Sequence, residues 1–289
     1  MTSPLTSPIR WPAEALWEAL APALPGFTVE VLPEIDSTNS ELMRRFRGSP
    51  GVAPRPEPVL LVAEQQTAGR GRLGRSWQSR RGDSLTFSLG LPLQPADWSG
   101  LSLVVGISLA ESLDPGNTRI GLKWPNDLWL TGPQGHRKLA GILVETASWD
   151  GIRYVVIGVG INIRPVQLLE TAATPSAMAA IPPGCLQDLL PGMDAGQALL
   201  RVLPPLVQAV QAFEQFGFAP FQARFAARDV LAGLPVQLSD GSEEGTAHGV
   251  GENGALLVHT AAGMKEITSS EVSVRPVSKP NPPKDAASC

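Results

Sequence analysis

The stretch Val59-Leu60-Leu61-Val62-Ala63-Glu64-Gln65-Gln66-Thr67-Ala68-Gly69-Arg70-Gly71-Arg72-Leu73-Gly74-Arg75-Ser76-Trp77-Gln78-Ser79 carries most of what the sequence says. Its first five residues are continuously apolar, which predicts a strand buried on both faces. The next part, Gly69 to Gly74, satisfies the G-x-G-x-x-G pattern of dinucleotide-binding folds. The context does not: that fingerprint needs an apolar helix after the glycines and an acidic strand end about 20 residues on. Here the glycines alternate with Arg70, Arg72 and Arg75, and Trp77 follows. Glycine lets the backbone approach a ligand closely, and guanidinium groups present planar donors to carboxylate or phosphate oxygens. The segment therefore reads as a loop that orders over an anionic, phosphate-bearing ligand.

Outward from this loop, the pattern predicts strands at 27–32, 84–91, 120–124, 139–148 and 153–163, the last two joined by a turn at Trp149-Asp150-Gly151. A short helical pattern lies at 14–20. Thr38 and Glu41 have capping-box spacing at the head of a helix over 39–47. Residues 101–113 read as a buried helix, 48–58 as a surface loop and 165–192 as irregular chain. Helices return at 195–215 and 219–229, with Pro204-Pro205 expected to break or kink the first. After Leu231-Ala232-Gly233 the character changes to short strands at 236–238, 245–250 and 256–259. Asp240-Gly241 and Asn253-Gly254 supply the hairpin turns. The polar tail from 278 to 289 reads as disordered. The fold class is α+β, divided into a leading segment 1–33, a main domain 34–230, a small β domain 231–277 and the tail 278–289.

Composition bounds the function. A net charge of −4 argues against general nucleic-acid binding, and the longest apolar runs are too short for a bilayer-spanning helix. Two cysteines and three scattered histidines give neither a disulfide framework nor a cysteine metal site, so a reducing cytoplasm is expected. No signal peptide is read at the N-terminus. Of 23 basic residues only five are lysines: Lys123, Lys138, Lys265, Lys279 and Lys284. A lysine inside an apolar stretch of an arginine-preferring chain is a candidate for chemistry.

Two such lysines frame a second constellation. Gly121-Leu122-Lys123-Trp124-Pro125-Asn126-Asp127 is followed, eleven residues after Asp127, by Lys138-Leu139-Ala140-Gly141-Ile142-Leu143-Val144-Glu145. Asn126 and Asp127 put two short oxygen-bearing side chains at a strand end, and Lys138 opens an apolar strand where an unpaired ammonium is costly. An Asx turn and an ordinary edge lysine would explain either one alone.

The run Glu64 to Trp77 resembles the biotin-binding loop of bacterial biotin protein ligases, with Leu73 standing where many members carry another arginine. Lys123-Trp124-Pro125-Asn126-Asp127 with Lys138-Leu139-Ala140-Gly141-Ile142-Leu143 is similar to that family's second hallmark. Asp36-Ser37-Thr38-Asn39 and Gly158-Val159-Gly160-Ile161-Asn162-Ile163 add two more matches in the family's order. The resemblance implies a mixed-sheet catalytic domain of the biotin/lipoate ligase type with a small SH3-like β-barrel behind it. It further implies activation of biotin by ATP and Mg²⁺ as biotinyl-5′-AMP, and transfer to a lysine of a biotin carboxyl carrier domain of acetyl-CoA carboxylase or a related carboxylase.

By the same resemblance, Ser37, Thr38 and Gln66 hold the ureido ring, with Asn39, Gly69, Gly71 and Gly141 in the same site. Arg70 and Arg72 close over biotin and its adenylate with support from Arg75, and Lys138 meets the biotin carboxylate. Asp127 and Asn126 are candidates for organising Mg²⁺ or steering the incoming lysine. Trp77 or Trp124 packs on the ligand or belongs to the core. Asn162 is carried as a nucleotide-side candidate, although its strand setting favours a structural role. Lys265 would sit near the nucleotide if the β domain folds back but is read as solvated, and His248 and His259, on short surface strands, are assigned no role. Some members of the family carry an N-terminal DNA-binding domain; about 33 residues precede the Asp-Ser-Thr-Asn motif here, so no DNA binding is expected. A monomer or weak homodimer is expected. A lipoate or octanoyl transferase, and a sensor without catalysis, are the competing readings.

Overall fold

The computed structural model describes residues 9–48, 57–133, 135–165, 181–238, 244–268 and 274–276. The expectations for 49–56, for 166–180, for the Asp240-Gly241 turn and for the tail lie outside them.

Strand β2 (Val59–Ala63) is buried at every position, because both its faces are covered. Leu60 and Val62 point into the main core, and Val59 and Leu61 into a second cluster with Leu42, Met43 and Phe46. It pairs in parallel with β1 (Thr28–Leu32) and antiparallel with β3 (Ser84–Pro92). A long hairpin, β6 (Arg137–Trp149) and β7 (Ile152–Asn162), continues the sheet. A short one, β4 (Ile120–Lys123) and β5 (Asp127–Leu130), closes it. The seven strands stand in the order β1-β2-β3-β7-β6-β5-β4, so the sheet is mixed. Strand β5 has only four residues, too few to show a period, and is an addition to the expected strands.

Helix α1 (Ala13–Leu20) buries Leu16 and Leu20 in the main core, so this part of the leading segment is built into the domain. Helices α3 (Leu101–Leu113) and α4 (Ala195–Phe216) cover the same face. Helix α2 (Thr38–Arg47) packs on the opposite face over β3, β6 and β7. The α2 cap differs from the capping box expected at Thr38 and Glu41. Ser37 is the N-cap and accepts from the Ser40 amide, while Glu41 pairs with Arg44 and Arg45. The helix begins one residue early, which frees the Thr38 hydroxyl for another partner.

Pro204-Pro205 does not break α4, which runs on for 22 residues. The two missing N–H groups would have bonded the carbonyls of Leu200 and Arg201, and both residues lie on the exposed side of the helix. Burial of Leu199, Val202, Leu203, Leu206 and Val207 holds the helix on either side. The 219–229 helix is shorter than expected: a 3-10 turn over Ala219–Phe221 followed by α5 (Gln222–Ala226).

A separate five-stranded antiparallel sheet follows, ordered β11-β10-β9-β8-β12. It comprises β8 (Pro235–Leu238), β9 (Glu244–Val250), β10 (Leu256–Thr260), β11 (Gly263–Ile267) and β12 (Val274–Pro276); the last two are additions to the sequence reading. It docks beside the β4–β5 hairpin. The Trp124 indole N–H donates to the Gly254 carbonyl at 3.1 Å, and the Gln222 amide donates to the Val250 carbonyl at 2.7 Å. Trp124 is fully buried, which assigns it to the core and to this junction. Among the described residues no helix is long and apolar enough to cross a membrane.

Candidate active site

One row of paired residues runs across the sheet: Thr86 on β3, Gly160 on β7, Gly141 on β6, Asp127 on β5 and Lys123 on β4. Residues paired in register project from the same face, so this row forms the floor of one site. The floor is low in the middle, where two glycines stand, and charged at the β4–β5 end. Above it lies an open cavity walled by the arginine-glycine segment, the start of the Thr38 helix and the β6–β7 hairpin.

Lys138 reaches this face through an irregularity. Asp127 pairs with Gly141 and Leu128 with Ala140, but Trp129 pairs with Lys138, so the register skips Leu139. Leu139 and Ala140, consecutive residues, are both in the core. A bulge of this kind turns the next side chain to the other face, and it brings the Lys138 Nζ to 2.7 Å from Asp127 Oδ1.

The glycines of β7 make room for two larger groups. A side chain at Gly160 would collide with the Trp77 indole, and one at Gly158 with the Asn39 amide. Trp77 thus lies along the glycine trough as a wall of the cavity, and its Nε1–H is buried with no partner among the described residues. Asn39 is fixed by four contacts. Its Nδ2 donates to the Leu143 carbonyl and to Glu145 Oε2, its Oδ1 accepts from the Ser88 hydroxyl, and it packs on Gly158. Beside it, the Gln66 Oε1 accepts from both the amide and the hydroxyl of Thr38, and the Thr38 hydroxyl oxygen lies 2.7 Å from that of Ser88. This is a rigid, uncharged polar pocket at the β3 end of the row.

The arginine-glycine segment is a small hairpin. Gly71 N–H donates to the Arg75 carbonyl at 2.7 Å and Trp77 N–H to the Gly69 carbonyl at 2.8 Å. Gly69 is needed because a Cβ there would strike the Trp77 carbonyl. The tip is a 3-10 turn over Arg72–Gly74, in which Leu73 has φ 55° and is exposed. Leu73, which stands where the resembling sequences carry another arginine, thus lies exposed in the turn of the loop. Arg70 bonds both carboxylate oxygens of Glu145 and approaches the Ser40 hydroxyl, which ties the loop to β6.

The electrostatic balance is one-sided. Arg70, Arg72, Arg75, Lys123 and Lys138 line the cavity, and Asp127 is its sole carboxylate among the described residues. Burial lowers the Arg72 pKa, Arg75 adds to the effect, and Asp127 opposes it. Lys123 is 7% exposed. Burial, with Lys138, Arg75 and Arg72 adding and Asp127 opposing, lowers it to about 8. Such a surplus of positive charge calls for a polyanionic ligand.

Of the residues singled out in the sequence, Gly69 and Asn162 stand outside the cavity lining. Asn162 is a strut: its Nδ2 donates to the Lys138 and Gly184 carbonyls. Asn126 lines the cavity, but its Nδ2 is bonded to the Ile142 carbonyl, which positions the turn before Asp127. Lys265 lies on β11 away from the lining. Lys123, Thr86, Gly158 and Gly160 are site residues that the sequence reading did not assign. The signal for Lys123 was present in the scarcity of lysine, and that for the glycines in the alternation of Gly158-Val159-Gly160 along an otherwise apolar strand.

No group of three or more His, Cys, Asp or Glu residues able to hold a metal occurs among the described residues. Mg²⁺ carried by nucleotide phosphates needs only one or two protein carboxylates. The donor set fits an ion that arrives with its substrate, Asp127 being the side chain that would face it.

The chain matches the biotin/lipoate A/B protein ligase family over residues 32–162 and the biotin protein ligase C-terminal domain over 236–275. It is 36% identical to the bifunctional ligase/repressor BirA of Escherichia coli over 262 residues, covering 89% of this chain and 77% of that protein. It is 32% identical to the biotin–[acetyl-CoA-carboxylase] ligase of Paracoccus denitrificans, over 84% of this chain and 98% of that one. The structure of Aquifex aeolicus biotin protein ligase in complex with biotin and ATP superposes with a TM-score of 0.68 at 31% identity. That match covers 86% of this chain and 99% of the other.

Proposed function

The chain belongs to the biotin protein ligase family, and we propose how its own residues divide the work of making and transferring biotinyl-5′-AMP. A carboxylate is a poor acyl donor, so a biotin carboxylate oxygen attacks the α-phosphorus of ATP. The bond from that phosphorus to the bridging oxygen breaks and pyrophosphate leaves. Catalysis of such a step is chiefly positioning and electrostatic stabilisation.

Positioning falls to the uncharged pocket. Ser37, Thr38, Asn39 and Gln66, already ordered by their mutual hydrogen bonds, receive the ureido ring, with the Trp77 indole along the ligand's apolar part. Gly141 and Gly160 leave room for the valeryl chain. Lys138 takes the carboxylate and then the acyl phosphate, and exchanges Asp127 for it as the ligand arrives. Arg70, Arg72 and Arg75 close the loop over the adenylate and keep water from the mixed anhydride. In the second step the carrier's lysine attacks the acyl carbon, and AMP leaves with the bonding electrons. Asp127 is positioned at the cavity floor to orient that amine.

The observation that carries this reading is the arrangement of one rigid neutral pocket and one cationic end on a single row of the sheet. The acceptor is a biotin carboxyl carrier domain of acetyl-CoA carboxylase or a related carboxylase, a reading supported by the name of the Paracoccus relative. The cytoplasm is the compartment proposed, from cysteine usage. The test is pyrophosphate release from ATP without any carrier, with biotin, lipoate or octanoate as the acid. A burst that requires biotin is expected. Release with lipoate or octanoate but not with biotin would overturn the substrate assignment.

A further inference from the structure

Lys123 is the cavity residue whose position is hardest to explain by structure alone. Arg70 is held by Glu145, and Lys138 by Asp127. Lys123 ends the same row of the sheet on β4, lines the cavity and is more than nine-tenths buried. Yet among the described residues no carboxylate stands within ion-pair distance of it, and Asp127, its neighbour across the hairpin, is engaged with Lys138. Lys123 also borders a small apolar space walled by Leu103, Gly106, Ile142 and Phe225. Structural buried lysines terminate on a carboxylate or a carbonyl, because an ammonium taken out of water without a partner is costly. A buried, unpaired cation on the floor of a ligand cavity is a group held ready for an anion.

Its place along the row says which anion. Strands stand about 4.8 Å apart, so the four gaps from Thr86 to Lys123 span roughly 19 Å. The neutral pocket of Thr38, Asn39 and Gln66 sits at the Thr86 end, and Lys138 stands between. A ligand with its uncharged ring at one end and its carboxylate at Lys138 leaves Lys123 for groups beyond the carboxylate, which in adenylation are the phosphates.

We propose that Lys123 is a further catalytic residue of the adenylation step, its Nζ binding the phosphate oxygens of ATP opposite the biotin carboxylate. The proposal rests on the adenylating reading given above. Lys123 exchanges no atoms in the reaction. The carboxylate oxygen bonds to the α-phosphorus, and the electron pair of the breaking bond leaves with pyrophosphate. Lys123 remains an ammonium that offsets the charge gathered on the phosphoryl oxygens and the leaving group. Lys138 and Lys123 thereby divide the work, one toward the acid and the other toward the nucleotide.

The experiment uses the full chain and three variants: Lys123→Met, of similar length and without charge, Lys123→Gln as a second neutral form, and Lys123→Arg, which keeps the charge. Pyrophosphate release at saturating biotin gives kcat and KM for ATP, titration gives biotin affinity, and thermal melting reports the fold. The neutral variants should melt no lower than the parent, keep its biotin affinity and lose about 10²- to 10³-fold in kcat, the loss expected when one donor to a charged transition state is removed. The Arg variant should recover part of that loss. Neutral variants with kcat within about threefold of the parent would overturn the proposal, the threshold being far below the loss expected for such a donor. So would neutral variants that melt early but turn over normally per folded molecule, which marks a structural lysine. A parent that releases pyrophosphate only with lipoate or octanoate overturns the biotin reading instead, and the Lys123 comparison is then made with that acid. If the parent uses none of the three acids, the comparison is ATP affinity by titration, and equal affinity in parent and Lys123→Met overturns the proposal.

Discussion

The Lys138 ammonium stands 2.7 Å from the Asp127 carboxylate, and a bulge in β6 is what brings the two to the same face. In a regular strand Lys138 would point into the core beneath the sheet, where Leu139 and Ala140 now lie. The register slip therefore installs the cation proposed to bind the acid. Lys138→Ala is expected to lower the rate of adenylate formation by about 10²- to 10³-fold while weakening ATP binding much less. Quenched-flow measurement of adenylate beside an ATP titration separates the two effects, and equal losses in both would contradict this role.

Gly160 and Trp77 form the second dependence. A methyl group at 160 enters space that the indole occupies, and Trp77 is a wall of the cavity. Gly160→Ala should cost about 1–3 kcal/mol of stability through overpacking, weaken biotin binding and alter indole fluorescence, because its relief is to push Trp77 outward. Melting and a biotin titration check this; unchanged biotin affinity with an unchanged spectrum would show that Trp77 does not shape the site.

The arginine loop makes a prediction about leakage. Arg72 is partly buried at the tip of the hairpin over the cavity, so Arg72→Gly opens the cover without touching the neutral pocket. Such a variant should form the adenylate and release it early, with indiscriminate biotinylation of lysines on bystander proteins. Adenylate retention measured by rapid filtration, and label counted on a bystander such as serum albumin, report this directly. Retention and selectivity equal to the parent would remove Arg72 from the cover.

Lys123 links the site to stability through pH. Burial lowers its pKa to about 8 from the ordinary lysine value of 10.5. Between these values the unfolded chain holds the proton more firmly than the folded one, so the protein gains stability as pH rises through this window. Below about pH 8 the buried charge is a standing cost, on the order of 3 kcal/mol for a shift of this size. Lys123→Met should therefore melt above the parent at pH 7, with the difference shrinking toward pH 10. A difference independent of pH would contradict the buried charge.

The legibility of the sequence followed the length and separation of its signals. The continuous run Val59–Ala63 and the helix Leu101–Leu113 have the bounds expected of them, because burial on all sides leaves one apolar run with abrupt ends. Four-residue β5 and three-residue β12 carry no such run. Pro204-Pro205 misled because local propensity was outweighed by the packing of a 22-residue helix. At the site, the arginine loop and the two lysine-bearing motifs were visible as residue types. Their meeting was not, since the row from Thr86 to Lys123 joins five strands through register, and register is a property of pairing. For the same reason Lys123 could be noticed and not assigned, and Asn162 was carried toward the nucleotide when its amide is bonded to the backbone.

The most direct test is to incubate the purified protein with ATP, Mg²⁺ and radiolabelled biotin, with and without a biotin carboxyl carrier domain, and to resolve free label, adenylate and labelled protein over time. Label should appear first as biotinyl-5′-AMP bound to the enzyme, and then on one lysine of the carrier as the adenylate declines. Absence of any biotin adenylate, with folded protein and intact ATP, would contradict the account at its centre and withdraw the roles given to Lys138, Arg72 and Asp127.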